Sequence, residues 1–172
     1  ALYGGSDVHN IVLKPLSDEY LPLLYRWNSD LEVLYWTEGA DVSEPYDKEM
    51  VQSIYGGVSQ NAFCFLIEVD GTAVGECWLQ KMNIPAVIGM YPVHTDIRRI
   101  DLCIGEKDYW NRGIGTRVVR MLVDFAFCGE HADVLHCFCL DHNKRSQRVW
   151  EKNGFTLAQR VKQEHSKKAK YE

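Results

Sequence analysis

Tyr109-Trp110-Asn111-Arg112-Gly113-Ile114-Gly115-Thr116 stands between a stretch of strand formers and a stretch with apolar residues at helical spacing. Two glycines at such a junction let the backbone approach a ligand closely and accept a positive φ. The helix that follows presents unpaired N–H groups and a partial positive charge at its first turn. Together these features suit an anion such as a pyrophosphate. Arg112, Arg117 and Arg120 add positive charge around it. A Walker loop would need Gly-Lys-Ser or Gly-Lys-Thr, which is absent, and a dinucleotide fingerprint would need a third glycine where Val118 stands. Gly-x-Gly alone is equally a plain tight turn, so its meaning rests on its surroundings.

Outward from the turn, residues 97–104 read as a strand. Residues 114–128 read as a helix, with Ile114, Val118, Val119, Leu122, Val123 and Phe125 on one face. Residues 134–140 are apolar on both faces, as a central strand should be. A helix over 143–152 closes at Asn153-Gly154 in the manner of a left-handed cap, and 155–161 is a final strand. Toward the N-terminus, residues 82–95 read as a loop. Residues 62–69 and 72–81 form a hairpin around Asp70-Gly71. Helices are expected over 46–55, ended by Gly56-Gly57, over 30–35, and from an N-cap at Ser17 to about Asn28. Residues 11–16 are a first strand, and residues 1–10 are expected to lie outside the ordered fold. The sum is one α/β (α+β) domain over residues 1–172, with a mixed sheet flanked by helices.

The composition is that of a globular chain: 172 residues, 46% apolar and 25% charged, with a net charge of −5. That charge disfavours a nucleic-acid surface, and no apolar run approaches the ~18 residues that span a bilayer. No signal-peptide pattern opens the chain. The six cysteines are not spaced as a disulfide framework, so a cytoplasmic location is expected. His136-Cys137-Phe138-Cys139-Leu140-Asp141-His142 suggests a metal cluster. However, strand residues two apart are separated by about 6.5–7 Å, too far for two thiolates on one zinc, and no metal is expected. Charge is unevenly spread. Glu38, Asp41, Glu44, Asp47 and Glu49 crowd the first third, while Arg112, Arg117, Arg120, Lys144, Arg145, Arg148 and Lys152 recur in the last. This suits a cationic substrate and an anionic cofactor, and equally two solvated faces.

The turn resembles the pyrophosphate loop of the GNAT acetyltransferase superfamily, Gln/Arg-x-x-Gly-x-Gly/Ala, with Arg112 before Gly113-Ile114-Gly115 and Trp110 departing at the first position. A second family element, Asn then a helix ending Glu-Lys-x-Gly-Phe, is matched by Asn143 and Glu151-Lys152-Asn153-Gly154-Phe155. The resemblance spans residues 11–161. Within the superfamily, Arg99-Ile100-Asp101, Ile104-Gly105-Glu106, Tyr109-Trp110 and Val33-Leu34-Tyr35-Trp36 look like aminoglycoside 6'-N-acetyltransferases. Acetyltransferases of ribosomal-protein N-termini are a weaker match.

The resemblance implies a mostly antiparallel sheet with a V-shaped cofactor cleft, and acetyl-coenzyme A as cosubstrate. Asn111, Arg112, Gly113, Ile114, Gly115 and Thr116 would hold its pyrophosphate. The backbone of Leu102, Cys103 and Ile104 would pair with its pantetheine arm, and Asn143 would touch its reactive end. An alkylammonium is at most about one percent neutral at pH 7, a cost of roughly 3 kcal/mol before attack, so a carboxylate beside the amine is needed. Asp101 is the candidate base and amine anchor; a strand aspartate salt-bridged to Arg98 or Arg99 is the plain alternative. Trp36, Glu38, Asp41 and Asp141 are candidate substrate contacts. Trp150 stands where many members carry a proton-donating tyrosine, which leaves the general acid unassigned and keeps open a non-catalytic coenzyme A-binding module. The expected partner is an aminoglycoside-like cationic amine, or else a protein N-terminus, polyamine or siderophore precursor, with the chain a monomer or homodimer.

Overall fold

The computed structural model describes residues 1–4, 9–39, 42 and 44–161. One six-stranded sheet runs in chain order, β1 (Leu2–Gly4), β2 (Ile11–Pro15), β3 (Ala62–Val69), β4 (Thr72–Lys81), β5 (Ile97–Ile104) and β6 (Val134–Cys137). Every pairing is antiparallel except that of β5 with β6. The helices are α1 (Leu21–Asn28), α2 (Leu31–Thr37), α3 (Lys48–Val58), the short α4 (Pro85–Ile88), α5 (Ile114–Asp124) and α6 (Lys144–Lys152).

Strand alternation gives the sheet two unlike faces. On one, Ile11, Leu13, Ile67, Val69, Leu79 and Ile100 pack against Ile114, Val118, Val119 and Leu122 of α5 and against Trp150 of α6. On the other, Leu66 meets Leu24 and Trp27 of α1 and Val51 and Tyr55 of α3. The Asp70-Gly71 hairpin is as the sequence predicts. Both residues have positive φ, and Val69 pairs with Thr72 across it.

Several boundaries differ from expectation, each for a physical reason. Residues 2–4 are not outside the fold, because Leu2–Gly4 adds an edge strand by pairing with Ile11–Leu13. Ser17 makes no side-chain cap; a 3-10 turn at Asp18–Tyr20 intervenes and α1 starts at Leu21, with proline in its first turn. Asp30 does cap α2, accepting from the Glu32 N–H at 2.9 Å. The 82–95 loop contains α4. Helix α5 ends at Asp124 and passes into a π turn, Phe125–Gly129. Strand β6 stops at Cys137 rather than 140. The expected strand over 155–161 is absent: Phe155 caps α6 through its N–H to the Trp150 carbonyl at 3.1 Å, and residues 156–160 are exposed without a strand partner.

Helix α3 continues through Gly56-Gly57 because Val51 and Tyr55, one turn apart, are buried and hold it. A Cβ at either glycine would meet nothing within 4 Å. Replacing Gly56 with alanine is therefore expected to raise unfolding stability by about 0.5–1 kcal/mol, measured by denaturant titration.

Candidate active site

β5 pairs with β4 over its whole length, from Arg98 opposite Lys81 to Ile104 opposite Gly75. On its other edge it pairs with β6 only from Ile97 to Ile100. Beyond that point the two parallel strands part, and the edge of β5 from Asp101 to Ile104 has no strand partner among the described residues. A side-chain bond closes the end of this edge: Trp110 donates its indole N–H to the Ile104 carbonyl at 2.7 Å. Trp110, the residue that departs from the family pattern, thus ties the turn to the strand.

The turn itself is held from several sides. The N–H groups of Gly105 and Glu106 donate to the Val74 carbonyl at 2.8 and 3.0 Å. Trp27 of α1 donates to Glu106 at 2.9 Å, and a Cβ at Gly105 would lie 2.1 Å from the Trp27 ring. Lys107 bridges Asp30 and Glu32 at the start of α2. Asn111 and Gly113 take left-handed φ of 60° and 76°, and α5 begins at once with no side-chain cap on its first N–H groups. A Cβ at Gly113 would meet nothing within 4 Å, so the space over this helix end is open. These uncapped donors fit an anion. The arginines are partly spent elsewhere: Arg117 donates to the His9 carbonyl, Arg120 to Asn153, and Arg112 lies over the Tyr109 ring.

In the gap between the parted strands lies a cavity of about 290 Å³. Register fixes its floor. Glu76 sits opposite Cys103, Trp78 opposite Asp101 and Gln80 opposite Arg99, all on the sheet face away from α5. Asn28, Trp36, Thr37 and Glu38 form one wall, and Leu140, Asn143, Ser146 and Trp150 the other. The structure therefore brings together Trp36, Glu38, Asp101, Leu102, Cys103 and Asn143. Residues 111–116 lie outside this lining, at the start of α5. Asp141 lies outside it too; it pairs with Arg160 and lines a separate groove behind β6. Asp41 falls outside the described residues.

Asp101 is salt-bridged to Arg99, as the plain alternative had it. Oδ1 accepts from Arg99 at 2.7 Å, while Oδ2 accepts from Arg99 at 3.1 Å and from Gln80 at 2.7 Å. Asn143 is tied at both ends of its amide. Its carbonyl oxygen accepts from the Ser146 N–H at 3.1 Å, capping α6, and its amide donates to the Trp36 carbonyl at 2.9 Å. Arg145 follows, stacked on the Trp36 ring at 4.7 Å and the Trp110 ring at 4.3 Å. Trp150 is buried and donates to the Ser146 hydroxyl at 3.0 Å.

Glu76 is the residue the sequence reading missed. It is 7% exposed, and its Oε2 has no hydrogen-bond partner; nor has the buried indole nitrogen of Trp78. Burial, reinforced by nearby Asp101, pushes the Glu76 carboxyl up to about 7, against the opposing pull of Asn28 and Trp78. The signal was present: a carboxylate inside Val74-Gly75-Glu76-Cys77, where a half-buried strand should be apolar. Burial, with Glu76 and Glu38 adding to it, drives the Cys103 thiol far above neutral, and burial first of all does the same for Cys137. Thiols so held are inert as nucleophiles at neutral pH. Among the described residues no group of three or more His, Cys, Asp or Glu side chains is placed to hold a metal, and no helix is long and apolar enough to cross a membrane.

Comparison with known proteins places these features in context. Residues 10–156 match the model of the acetyltransferase (GNAT) domain family. The chain is 23% identical over 157 residues to spermidine N(1)-acetyltransferase of Escherichia coli (strain K12), covering 88% of this chain and 75% of that protein. It is also 23% identical over 155 residues to aminoglycoside N(6')-acetyltransferase type 1 of Klebsiella pneumoniae, covering 85% and 74%. Among solved structures, aminoglycoside acetyltransferase AAC(6')-Ib in complex with coenzyme A superposes with a TM-score of 0.77 at 20% identity, over 94% of this chain and 92% of that one.

Two outcomes follow from the geometry. Gly113→Ala forces a side chain into left-handed backbone and should cost about 1 kcal/mol in unfolding experiments. Gly115→Ala should cost nothing, since a Cβ there lies 3.5 Å from Val149, an ordinary contact. The raised Glu76 carboxyl means that the unfolded chain ionises first, near its ordinary value of 4.5, and the folded chain only near 7. The wild type should therefore lose stability relative to Glu76→Gln as pH rises from about 4.5 to 7, by about 3 kcal/mol in total, read from denaturant midpoints across that range.

Proposed function

The chain belongs to the GNAT acetyltransferase family, and from that premise we propose that it transfers acetyl from acetyl-coenzyme A to a cationic amine, the 6'-amino group of an aminoglycoside. The observation that carries the reading is the parting of β5 from β6, with an acid-lined cavity on one side and an uncapped helix end on the other. The cofactor supplies a thioester as acyl donor. The amides of Asn111, Arg112, Gly113, Ile114, Gly115 and Thr116 bind its pyrophosphate. The free edge at Leu102, Cys103 and Ile104 aligns its pantetheine arm, as an added strand would be aligned. One of those edge N–H groups stabilises negative charge on the carbonyl oxygen. Asn143 serves by fixing the rim of the cavity between α2 and α6.

The acceptor enters the cavity as a cation. Asp101 holds the ammonium, with its carboxylate oriented by Arg99. Glu38 and Trp36 supply the wall of α2 that faces it. The inert thiols favour direct transfer over a route through an acyl-cysteine.

A second reading, acetylation of a polyamine, is favoured by the equal 23% identity to the spermidine enzyme. Thiol release from acetyl-coenzyme A separates the two. Kanamycin is expected to be turned over with a kcat/KM at least about tenfold above that for spermidine or an N-terminal peptide. Asp101→Ala strands the Arg99 cation in the cavity and should reduce kcat/KM for kanamycin by about 100-fold, mostly through KM, as removal of one partner of a charge pair does. A preference for spermidine would move the substrate to the polyamine. Coenzyme A-dependent thermal stabilisation with no thiol release from any amine would leave a binding module instead.

A further inference from the structure

The three carboxylates that open onto the cavity are Glu38, Glu76 and Asp101, and they are not equivalent. Asp101 already accepts three hydrogen bonds, two from Arg99 and one from Gln80. Glu38 is hydrogen bonded to the Tyr46 hydroxyl. Glu76 alone carries an oxygen, Oε2, that is buried with no partner, and two residues along the same strand face the Trp78 N–H is buried with none. Trp78 and Asn28 stand near enough to pull the Glu76 carboxyl down, yet neither orphan atom has a partner at hydrogen-bond geometry. Buried polar atoms left unmatched are costly, and these are the two such side-chain atoms found among the described residues. One needs a donor and the other an acceptor.

Resting on the acetyl-transfer reading above, we infer that Glu76 is the proton acceptor for the attacking amine and that Trp78 donates to an oxygen of the same acceptor molecule. The pair thus reads an amine carried close to a hydroxyl or ether oxygen, as on an amino sugar. A protonated polyamine offers N–H donors and no oxygen, so it satisfies Glu76 and leaves Trp78 unmatched. A site with a buried donor discriminates strongly against a ligand that cannot meet it. In the step itself, the amine nitrogen forms a bond to the acetyl carbon and the bond from that carbon to sulfur breaks. Sulfur leaves with the electron pair as the thiolate of coenzyme A, and the amine proton passes to Glu76 Oε2.

The carboxyl's raised value places its charge change where such a base is useful. The other titratable or charged groups around it are Asp101, Arg99 and Cys103 on β5, Cys64 on β3, Cys77 on its own strand and Glu38 after α2. The thiols among them are pushed up by burial, far from neutrality, so they do not titrate with it.

The test uses the wild type, Glu76→Gln, Glu76→Asp and Trp78→Phe. Thiol release with kanamycin should fall by about 100-fold or more in kcat for Glu76→Gln, with KM for acetyl-coenzyme A unchanged and the acidic limb of the pH–rate profile lost. Glu76→Asp should keep that limb. Trp78→Phe should shift the kanamycin-to-spermidine ratio of kcat/KM toward spermidine by about tenfold or more. Calorimetry of kanamycin binding at pH 6 without cosubstrate, in buffers of different ionisation enthalpy, gives a readout free of turnover. The wild type should release a proton that Glu76→Gln does not. Equal proton counts, or a Glu76→Gln enzyme within threefold of wild type with its acidic limb intact, would overturn the role of Glu76. An unchanged ratio in Trp78→Phe overturns that of Trp78. A wild type that releases no thiol with any amine sinks the proposed function, while the proton count still decides on Glu76.

Discussion

A parallel strand pair that lasts four residues and then opens is the constraint on which this molecule turns. Backbone N–H and C=O groups near a core are costly when unpaired, so a sheet does not abandon a ladder without something to occupy the edge. Here the loss is contained in two ways. The Trp110 indole satisfies the Ile104 carbonyl at the far end. The cavity between the strands is lined with polar groups, so water or a ligand can meet the rest. The wedge that keeps the strands apart is apolar, with Trp150 packed in the main core beside partly buried Leu102, Cys139 and Val149. A cofactor arm with amide groups of its own is the natural completion of such an edge.

The electrostatics of the cavity follow from strand register rather than from any helix or loop. Because β4 and β5 run antiparallel without slip from Gly75 to Lys81, Glu76 and Asp101 project from the same face. Two carboxylates at such short range disfavour each other's charge, and the fold resolves the conflict unequally. Arg99 and Gln80 donate to one, while desolvation raises the other to about 7. Environments that push two like groups apart in this manner are a recurrent way of dividing anchoring from proton transfer.

The turn before α5 and the start of α6 were readable from sequence because they depend on local chemistry. Gly113 before an amphipathic helix, and Asn143 before another, announce themselves by position alone. The hairpin at Asp70-Gly71 is of the same kind. What resisted reading depends on distant partners. The sequence offered Arg98 and Arg99 alike as partners of Asp101, and only the fold selects Arg99, with Arg98 turned to Asp96 and Glu130. Asp141 looked like a strand-end acid facing a ligand until β6 ended three residues early and turned it toward Arg160. The missing last strand has the same origin: residues 155–161 have β-forming side chains, yet they do not pair with the outer edge of β6, the terminal strand. Glu76 was legible in principle as a charge in an apolar run, but only register makes its burial meaningful.

The fit of Trp27 against Gly105 has a mechanical consequence. That indole belongs to the helix whose last residue, Asn28, borders the cavity, and it grips the residue from which the chain sets out toward the glycine turn before α5. The two halves of the machinery are thereby bolted through one aromatic ring, and neither can drift without dragging the other. A single extra methyl group at that spot would be felt as damage in both compartments at once.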